Sequence, residues 1–159
     1  MLNQMGDVPT IKTIMRTVEL KVYTINEHPN KDKCFDWIRN NWYDLNEHSV
    51  HGVLDSLNAL HSAIGGDLDY SISLSPCRGE YIEFKDYDKD LLNELDANEL
   101  PLTGVCWDGD LIESMQKDGD AYGVLRALHQ DTEYIYSDEG LQDLCEANDY
   151  EFTEEGEVY

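Results

Sequence analysis

Basic residues are scarce in this sequence, and their scarcity excludes the commonest ways of binding a polyanion. The chain of 159 residues has 11 Lys and Arg against 34 Asp and Glu, which gives a formal charge of -23 at pH 7. Proteins that bind nucleic acid through phosphates need clustered cations, because much of the affinity comes from displacing condensed counterions. The same charge repels anionic membrane surfaces. We therefore expect no direct contact with nucleic acid or with lipid.

Long apolar runs and secretion signals are also missing. No apolar stretch approaches the ~20 residues that a membrane-spanning helix requires. The first residues lack the basic flank and apolar centre of a secretory signal. These absences predict a cytoplasmic protein.

The four cysteines are widely spaced. Cys34, Cys77, Cys106 and Cys145 form no Cys-x-x-Cys pair, so their spacing does not indicate a zinc site. We predict four buried, reduced thiols, and a disulfide only if the compartment is oxidising.

Signatures of catalysis and of metal binding are likewise absent. The chain has no Gly-x-Ser-x-Gly elbow and no glycine-rich phosphate loop. A calcium loop would begin at Asp86, but its sixth position is Leu91 rather than Gly and its twelfth is Ala97 rather than Glu. His48 and His51 have a spacing that metals accept, yet no further ligand follows from the pattern. We expect neither an enzyme nor a bound metal or cofactor.

The apolar residues, 41% of the chain, predict a folded protein despite the charge. Alternation predicts a strand over 17–25, and Pro and Gly between 68–74 and 80–85 predict a hairpin. Apolar spacing predicts helices over 31–43, 50–64, 91–95, 111–115, 121–129 and 138–147. Residues 102–107 and 134–136 are predicted to be extended. The expected architecture is a single α+β domain over residues 15–159, an antiparallel sheet of three or more strands faced by helices, after a flexible leader at 1–14.

Charge is distributed unevenly along the chain. Residues 1–85 contain 12 acids and 8 bases, a net charge of -4, whereas residues 86–159 contain 22 acids and 3 bases, a net charge of -19. A protein adapted to high salt should distribute acids over its whole exterior, so the asymmetry favours a different explanation. We also expect crowding to raise the pKa values of carboxyl groups in the acidic half.

Four stretches resemble a set of uncharacterised phage and prophage proteins, some of which are labelled antitoxin-like. They are RTVELKVY at 16–23, DYSISLSPCRGEYIEF at 69–84, LTGVCWDGDLI at 102–112 and ANDYEFTEEG at 147–156. The segment HPNKDKCFDWIRNN differs from the Ala/Lys/Glu-rich helix that this family has at that point. The resemblance implies an origin on a mobile genetic element and provides no functional residues.

The acidic half can imitate nucleic acid. Duplex DNA has one charge per ~1.7 Å, so about twenty carboxylates match roughly 35 Å of duplex, and carboxylates one helical turn apart lie about 5 to 6 Å apart. We therefore predict a counter-defence inhibitor that occupies the basic groove of a host nucleic-acid-binding defence protein, with a CRISPR effector first and a restriction enzyme second. The candidate partner-binding residues are Asp86, Asp88, Asp90, Glu94, Asp96, Glu99, Asp108, Asp110, Glu113, Asp118, Asp120, Asp138, Glu139, Asp143 and Glu146.

Two alternatives of other classes remain at this stage. The first is an antitoxin or adaptor that binds one protein through an apolar surface, and its complex should survive added salt. The second is a metal-dependent or thiol enzyme. Trp37 and Trp42 cannot both face the side of their helix that Phe35 and Ile38 occupy, so one of them is available for a homodimer surface.

Overall fold

The longest helix of the protein carries most of its larger hydrophobic core. A computed structural model describes residues 19–72 and 79–159 of the chain. Its elements, in order, are β1 (Tyr23–Thr24), α1 (Lys31–Asn41), α2 (Glu47–Ile64), β2 (Asp67–Ser71), β3 (Tyr81–Lys85), α3 (Lys89–Asn93), a 3-10 turn (Ala97–Glu99), α4 (Cys106–Asp118), α5 (Tyr122–Ile135), α6 (Asp138–Ala147) and β4 (Glu151–Phe152). The expected leader at 1–14 lies outside the described residues.

The larger core, called the first cluster here, is centred on α2 and is built from helices and one hairpin. Val53, Leu57 and Leu60 of α2 are fully buried, and they pack with apolar residues of α3, α4 and α5 and of the β2–β3 hairpin. The predicted apolar period of α2 and its predicted end are confirmed, since α2 ends at Ile64 and is followed by Gly65, which has a φ of 69°. Gly66 follows with a φ of 80°, and a Cβ there would lie 2.2 Å from the Lys85 carbonyl oxygen. Glycine at this position therefore lets the end of α2 approach the hairpin.

A second, smaller cluster joins the two ends of the described chain. Cys34, Phe35 and Ile38 of α1 pack with Leu141 and Cys145 of α6, together with Ile25 and Phe152. The predicted cap of α1 is confirmed, because the Asn30 side chain accepts a hydrogen bond from the Lys33 N–H at 3.3 Å.

The prediction of a sheet with three or more strands is wrong. The described residues form a mostly helical protein with two separate two-stranded antiparallel sheets, β1 with β4 and β2 with β3. The predicted hairpin is present, with Asp67 opposite Lys85 and Ser71 opposite Tyr81. The strand predicted over 17–25 is reduced, within the described residues, to Tyr23–Thr24, which pairs with β4 near the C-terminus. Since β1 packs in the second cluster and the hairpin packs in the first, the strands cannot join into one sheet.

Two predicted extended segments are also wrong. Residues 102–105 form turns and Cys106 begins α4, while residues 134–135 belong to α5. In the first case the side chain of Asp108 accepts hydrogen bonds from the backbone N–H groups of Leu102, Thr103 and Gly104, which bends this segment around the start of α4.

Polar side chains join α1 to the end of α5 and the start of α6, and join the start of α2 to α5. Arg39 Nε donates to the Tyr136 carbonyl oxygen at 3.1 Å, and the Arg39 guanidinium forms an ion pair with Asp138. Asn46 Nδ2 adds a hydrogen bond to Thr132 Oγ1 at 3.2 Å.

Among the helices of the described residues, none is both long and apolar enough to cross a membrane.

Candidate acidic interface

Two grooves meet along α4, and carboxylates line both. The first has a volume of about 240 Å³ and contains Asp110, Glu113 and Asp118 beside Lys117 and Arg126. The second, of about 560 Å³, lies against α3 and the 3-10 turn and contains Glu94, Asp96 and Glu113. Because Glu113 lines both grooves, the five carboxylates form one continuous feature. We call it the acidic strip and define it as Glu94, Asp96, Asp110, Glu113 and Asp118.

Hydrogen bonds hold the segment from α3 to the 3-10 turn against α4. Gln116 Nε2 donates to the carbonyl oxygens of Leu92 and Leu95, both at 2.8 Å. Asp88 caps α3 by accepting from the Asp90 and Leu91 N–H groups, and Asp96 caps the 3-10 turn by accepting from the Asn98 N–H at 2.9 Å. The strip is therefore presented by ordered backbone.

Asp110 has a raised pKa, for which burial is the larger cause and crowding by a like charge the smaller one. Its carboxyl group is half-buried, and burial, followed by the negative charge of Glu113, raises its pKa above the ordinary value. Asp110 and Glu113 are three residues apart on one face of α4, so the two like charges face each other at helical spacing. Placing them together costs free energy that a bound cation would recover.

Two cations enter the first groove without neutralising it. Lys117 Nζ lies 3.4 Å from Glu113 Oε1, and both side chains are well over half exposed. Exposed pairs of this kind contribute little because water and salt screen them. Arg126 lines the same groove.

Asp108, one of the predicted partner-binding residues, cannot contact a partner because it is fully buried. Its carboxylate accepts hydrogen bonds from the hydroxyls of Ser56 and Thr103, at 2.7 and 2.8 Å, and from three backbone N–H groups of residues 102–104. Burial alone would raise the pKa of Asp108, but the hydrogen bonds from Ser56 and Thr103 and from the backbone outweigh it, so the pKa is lowered. This residue anchors the 102–105 turn to α2.

The acids of α6 form a separate group that lines neither groove. Asp138 pairs with Arg39, and Asp143 accepts a hydrogen bond from the Tyr134 hydroxyl. Glu146 accepts from Asn26 and Gln142, at 2.8 and 2.6 Å, and these hydrogen bonds lower its pKa, contrary to the expected effect of crowding. Much of this charge is engaged within the protein.

The remaining predicted residues line neither groove of the strip. Asp86, Asp90 and Glu99 are exposed, and Asp86 has a φ of 53°. Asp120 is half-buried and accepts a hydrogen bond from the Tyr122 N–H at 3.0 Å, close to the start of α5. The sequence could not indicate Gln116, whose role depends on the contact between α4 and α3.

The described residues contain no group of three or more His, Cys, Asp or Glu side chains that could hold a metal ion. The segment from Asp86 that resembles the start of a calcium loop instead contains the N-cap of α3, Asp88. His51 instead faces Glu47 at 4.0 Å on the same helix.

The thiols differ in their accessibility, which partly corrects the expectation that all four are buried. Cys34 and Cys145 are buried, whereas Cys106 is exposed at the first turn of α4; Cys77 lies outside the described residues. Burial raises the pKa of Cys34 to about 11, and burial together with the neighbouring Cys34 raises that of Cys145 to about 11.

Under native conditions, a Cys77→Ser variant should therefore react with a maleimide at only one of its three remaining thiols. Cys106 is expected to be labelled quickly, and Cys34 and Cys145 only after unfolding. Mass spectrometry of the intact protein before and after adding urea measures this. Rapid native labelling that persists in a Cys77→Ser/Cys106→Ser variant would contradict the described packing of α1 against α6.

Comparison with known proteins adds no functional residue. No protein-family model, no curated protein and no solved structure matches the chain.

Proposed function

We propose that the protein is an inhibitor that imitates nucleic acid and occupies the basic groove of a nucleic-acid-binding protein. The observation that carries this proposal is the convergence of Glu94, Asp96, Asp110, Glu113 and Asp118 on two joined grooves. An array of carboxylates on ordered backbone offers Lys and Arg side chains the kind of partner that phosphates offer them. The net charge of -19 over residues 86–159 would also attract such a partner from a distance.

The proposed targets are host defence complexes that must hold DNA or RNA in a positively charged channel. A CRISPR effector is the first choice, since its guide–target duplex lies in such a channel, and a restriction enzyme is the second. In this proposal the protein comes from a mobile genetic element and acts in the cytoplasm of the host. Inhibition is competitive, because protein and nucleic acid occupy the same basic surface.

The test is displacement of a labelled DNA duplex from purified CRISPR effectors and restriction enzymes. The strip variant replaces three members of the strip, Glu94 and Glu113 by Gln and Asp118 by Asn. It also replaces the exposed Glu99 of the adjoining 3-10 turn by Gln, and it avoids the helix caps Asp88 and Asp96. We expect this variant to need about ten- to a hundredfold more protein for half displacement, since it loses several charge-assisted contacts.

The matched control variant also removes four exposed acids, but away from the strip: Asp55→Asn, Glu133→Gln, Glu154→Gln and Glu155→Gln. Both variants have the same net charge, so general electrostatic attraction changes equally in both. The proposal fails if the unaltered protein displaces DNA neither from CRISPR effectors nor from restriction enzymes. It also fails if the two variants displace DNA equally well.

Salt dependence separates this function from an antitoxin or adaptor that uses an apolar surface. Binding by mimicry should weaken steeply as salt rises from about 50 to about 200 mM, because exposed charges are screened. An apolar complex should be nearly unaffected.

A further inference from the structure

An apolar groove lies where α5, α6 and the loop between α1 and α2 meet. It has a volume of about 330 Å³, and its lining includes Leu45, Tyr134, Ile135, Leu144 and Ala147. Leu45 and Leu144 are half-buried, whereas Ala147 is exposed and Tyr134 is 44% exposed. This lining shares no residue with either groove of the acidic strip. The groove is therefore a second surface with its own chemistry.

The rim of this groove is negatively charged. Asp143 lines the groove and accepts a hydrogen bond from the Tyr134 hydroxyl. Glu139 lies one turn earlier on α6 and is exposed. The hydrogen bond to Asp143, burial, and the charges of Asp143 and Glu139 raise the pKa of Tyr134, as acids at the rim of the groove should. None of the described residues that line the groove is cationic.

An exposed aromatic residue adds to the apolar surface nearby. Tyr43 is 78% exposed, and its carbonyl oxygen accepts a hydrogen bond from the Tyr136 hydroxyl at 3.4 Å. Tyrosine at a protein surface supplies contact area and a polar tip at a low cost in conformational entropy. The residues around the groove thus resemble the anchors of a peptide-binding surface.

We propose that this groove binds a basic amphipathic helical segment of a partner protein. Apolar side chains at positions i, i+3, i+4 and i+7 of the segment occupy the groove beside Leu45, Leu144 and Ala147. Lys or Arg side chains on either side of them pair with Asp143 and Glu139. Charge complementarity selects this occupant, since an acidic segment would meet carboxylates with no cation in the groove lining to offset them. The inference goes beyond the proposed function and does not depend on the acidic strip.

The probe is a helix-forming peptide of about 18 residues made of Leu and Lys, with the Leu residues on one face. A scrambled peptide of the same composition measures the general attraction of any cationic peptide to a chain of net charge -23. Isothermal titration calorimetry should show that the amphipathic peptide binds at least about tenfold more tightly than the scrambled one. Equal binding would overturn the proposal.

Variants locate the binding surface. Ala147→Lys places a bulky cation in the groove, and its position at the end of α6 suits a positive charge and keeps the helix stable. This variant should lose about tenfold in affinity for the amphipathic peptide, whereas Ala63→Lys, the same substitution at an exposed position in the last turn of α2, should change it by less than about twofold. Asp143→Asn should weaken binding less than Ala147→Lys does. Unchanged affinity in a folded Ala147→Lys protein would overturn the proposal.

Two other occupants are distinguished in the same experiment. If the chain's own residues 1–18 fill the groove, Ile14→Glu in the full chain should increase the affinity for the peptide. If a second copy of the chain fills it, adding the peptide should convert a dimer to a monomer in analytical ultracentrifugation. Either result would overturn an external partner segment as the occupant. The strip variant should bind the peptide as tightly as its charge-matched control does, and Ala147→Lys should still displace DNA, so failure of one proposal leaves the other tested separately.

Discussion

Replacing Asp108 by alanine is expected to lower the free energy of unfolding by about 4 kcal/mol. The substitution removes a carboxylate that is fully buried and leaves the hydroxyls of Ser56 and Thr103 and three backbone N–H groups without their acceptor. Each unsatisfied buried donor costs about 1 to 3 kcal/mol, and partial entry of water into the 102–105 turn offsets part of the sum. Such a loss is a large share of the ~5 to 15 kcal/mol that stabilises a typical domain.

Urea denaturation of Asp108→Ala and Asp110→Asn measures this effect against a matched control. Asp110 is two residues away on the same helix, and its carboxyl is destabilised by burial and by Glu113. Asp110→Asn should therefore leave stability within about 0.5 kcal/mol of the unaltered protein or raise it slightly. Similar losses in the two variants would show that Asp108 does not anchor the turn.

Acid provides an independent test of the same residue. The pKa of Asp108 is lower in the folded protein than in the unfolded chain, so the unfolded chain binds the proton first as the pH falls. The contribution of Asp108 is fully present at neutral pH and decreases as the pH falls below about 4. The stability difference between the unaltered protein and Asp108→Asn should therefore shrink on acidification. A difference that stays constant from neutral pH to about pH 3 would contradict the lowered pKa.

Local patterns in the sequence predicted that the helices exist, but not the start of α4 or the end of α5. The apolar period of α2, the Asn30 cap and the hairpin depend on neighbours within one or two turns, and all three are present. The pairing of strands depends on which distant segments meet. Nothing within 17–25 indicates that Tyr23 pairs with Phe152, so the predicted three-stranded sheet was wrong.

The acidic half illustrates the same limit for the candidate interface. Composition located the charge within residues 86–159, and the structure places Glu94, Asp96 and Glu113 on one groove. Composition could not distinguish an exposed carboxylate such as Glu94 from the buried carboxylate of Asp108, which lies two residues before Asp110 on the same helix. Acidic residues look alike in a sequence until their hydrogen-bond donors are known, and the donors of Asp108 include Ser56, on α2.

Gly140 is the position where sequence and structure lead to opposite predictions. It lies inside the first half of α6, where helix propensity alone predicts that alanine stabilises by up to about 1 kcal/mol. In the structure, however, a Cβ at this position would lie 2.1 Å from the Tyr134 carbonyl oxygen and 3.2 Å from the Ile135 Cα. All of these atoms belong to the backbone of α5, so no rotamer change can relieve the overlap.

Gly140→Ala is therefore expected to destabilise the protein by about 3 kcal/mol or more, since α6 must move away from α5. Glu139→Ala, at the neighbouring exposed position, serves as the control and should change stability by less than about 0.5 kcal/mol. Thermal unfolding followed by circular dichroism measures both variants, and a stabilised Gly140→Ala protein would refute the close contact. Tyr134 and Gly140 also line the apolar groove, so the same displacement should abolish binding of the amphipathic peptide in whatever fraction of Gly140→Ala remains folded. The acidic strip lies on α4 and between α3 and the 3-10 turn, away from this displacement, and should continue to displace DNA.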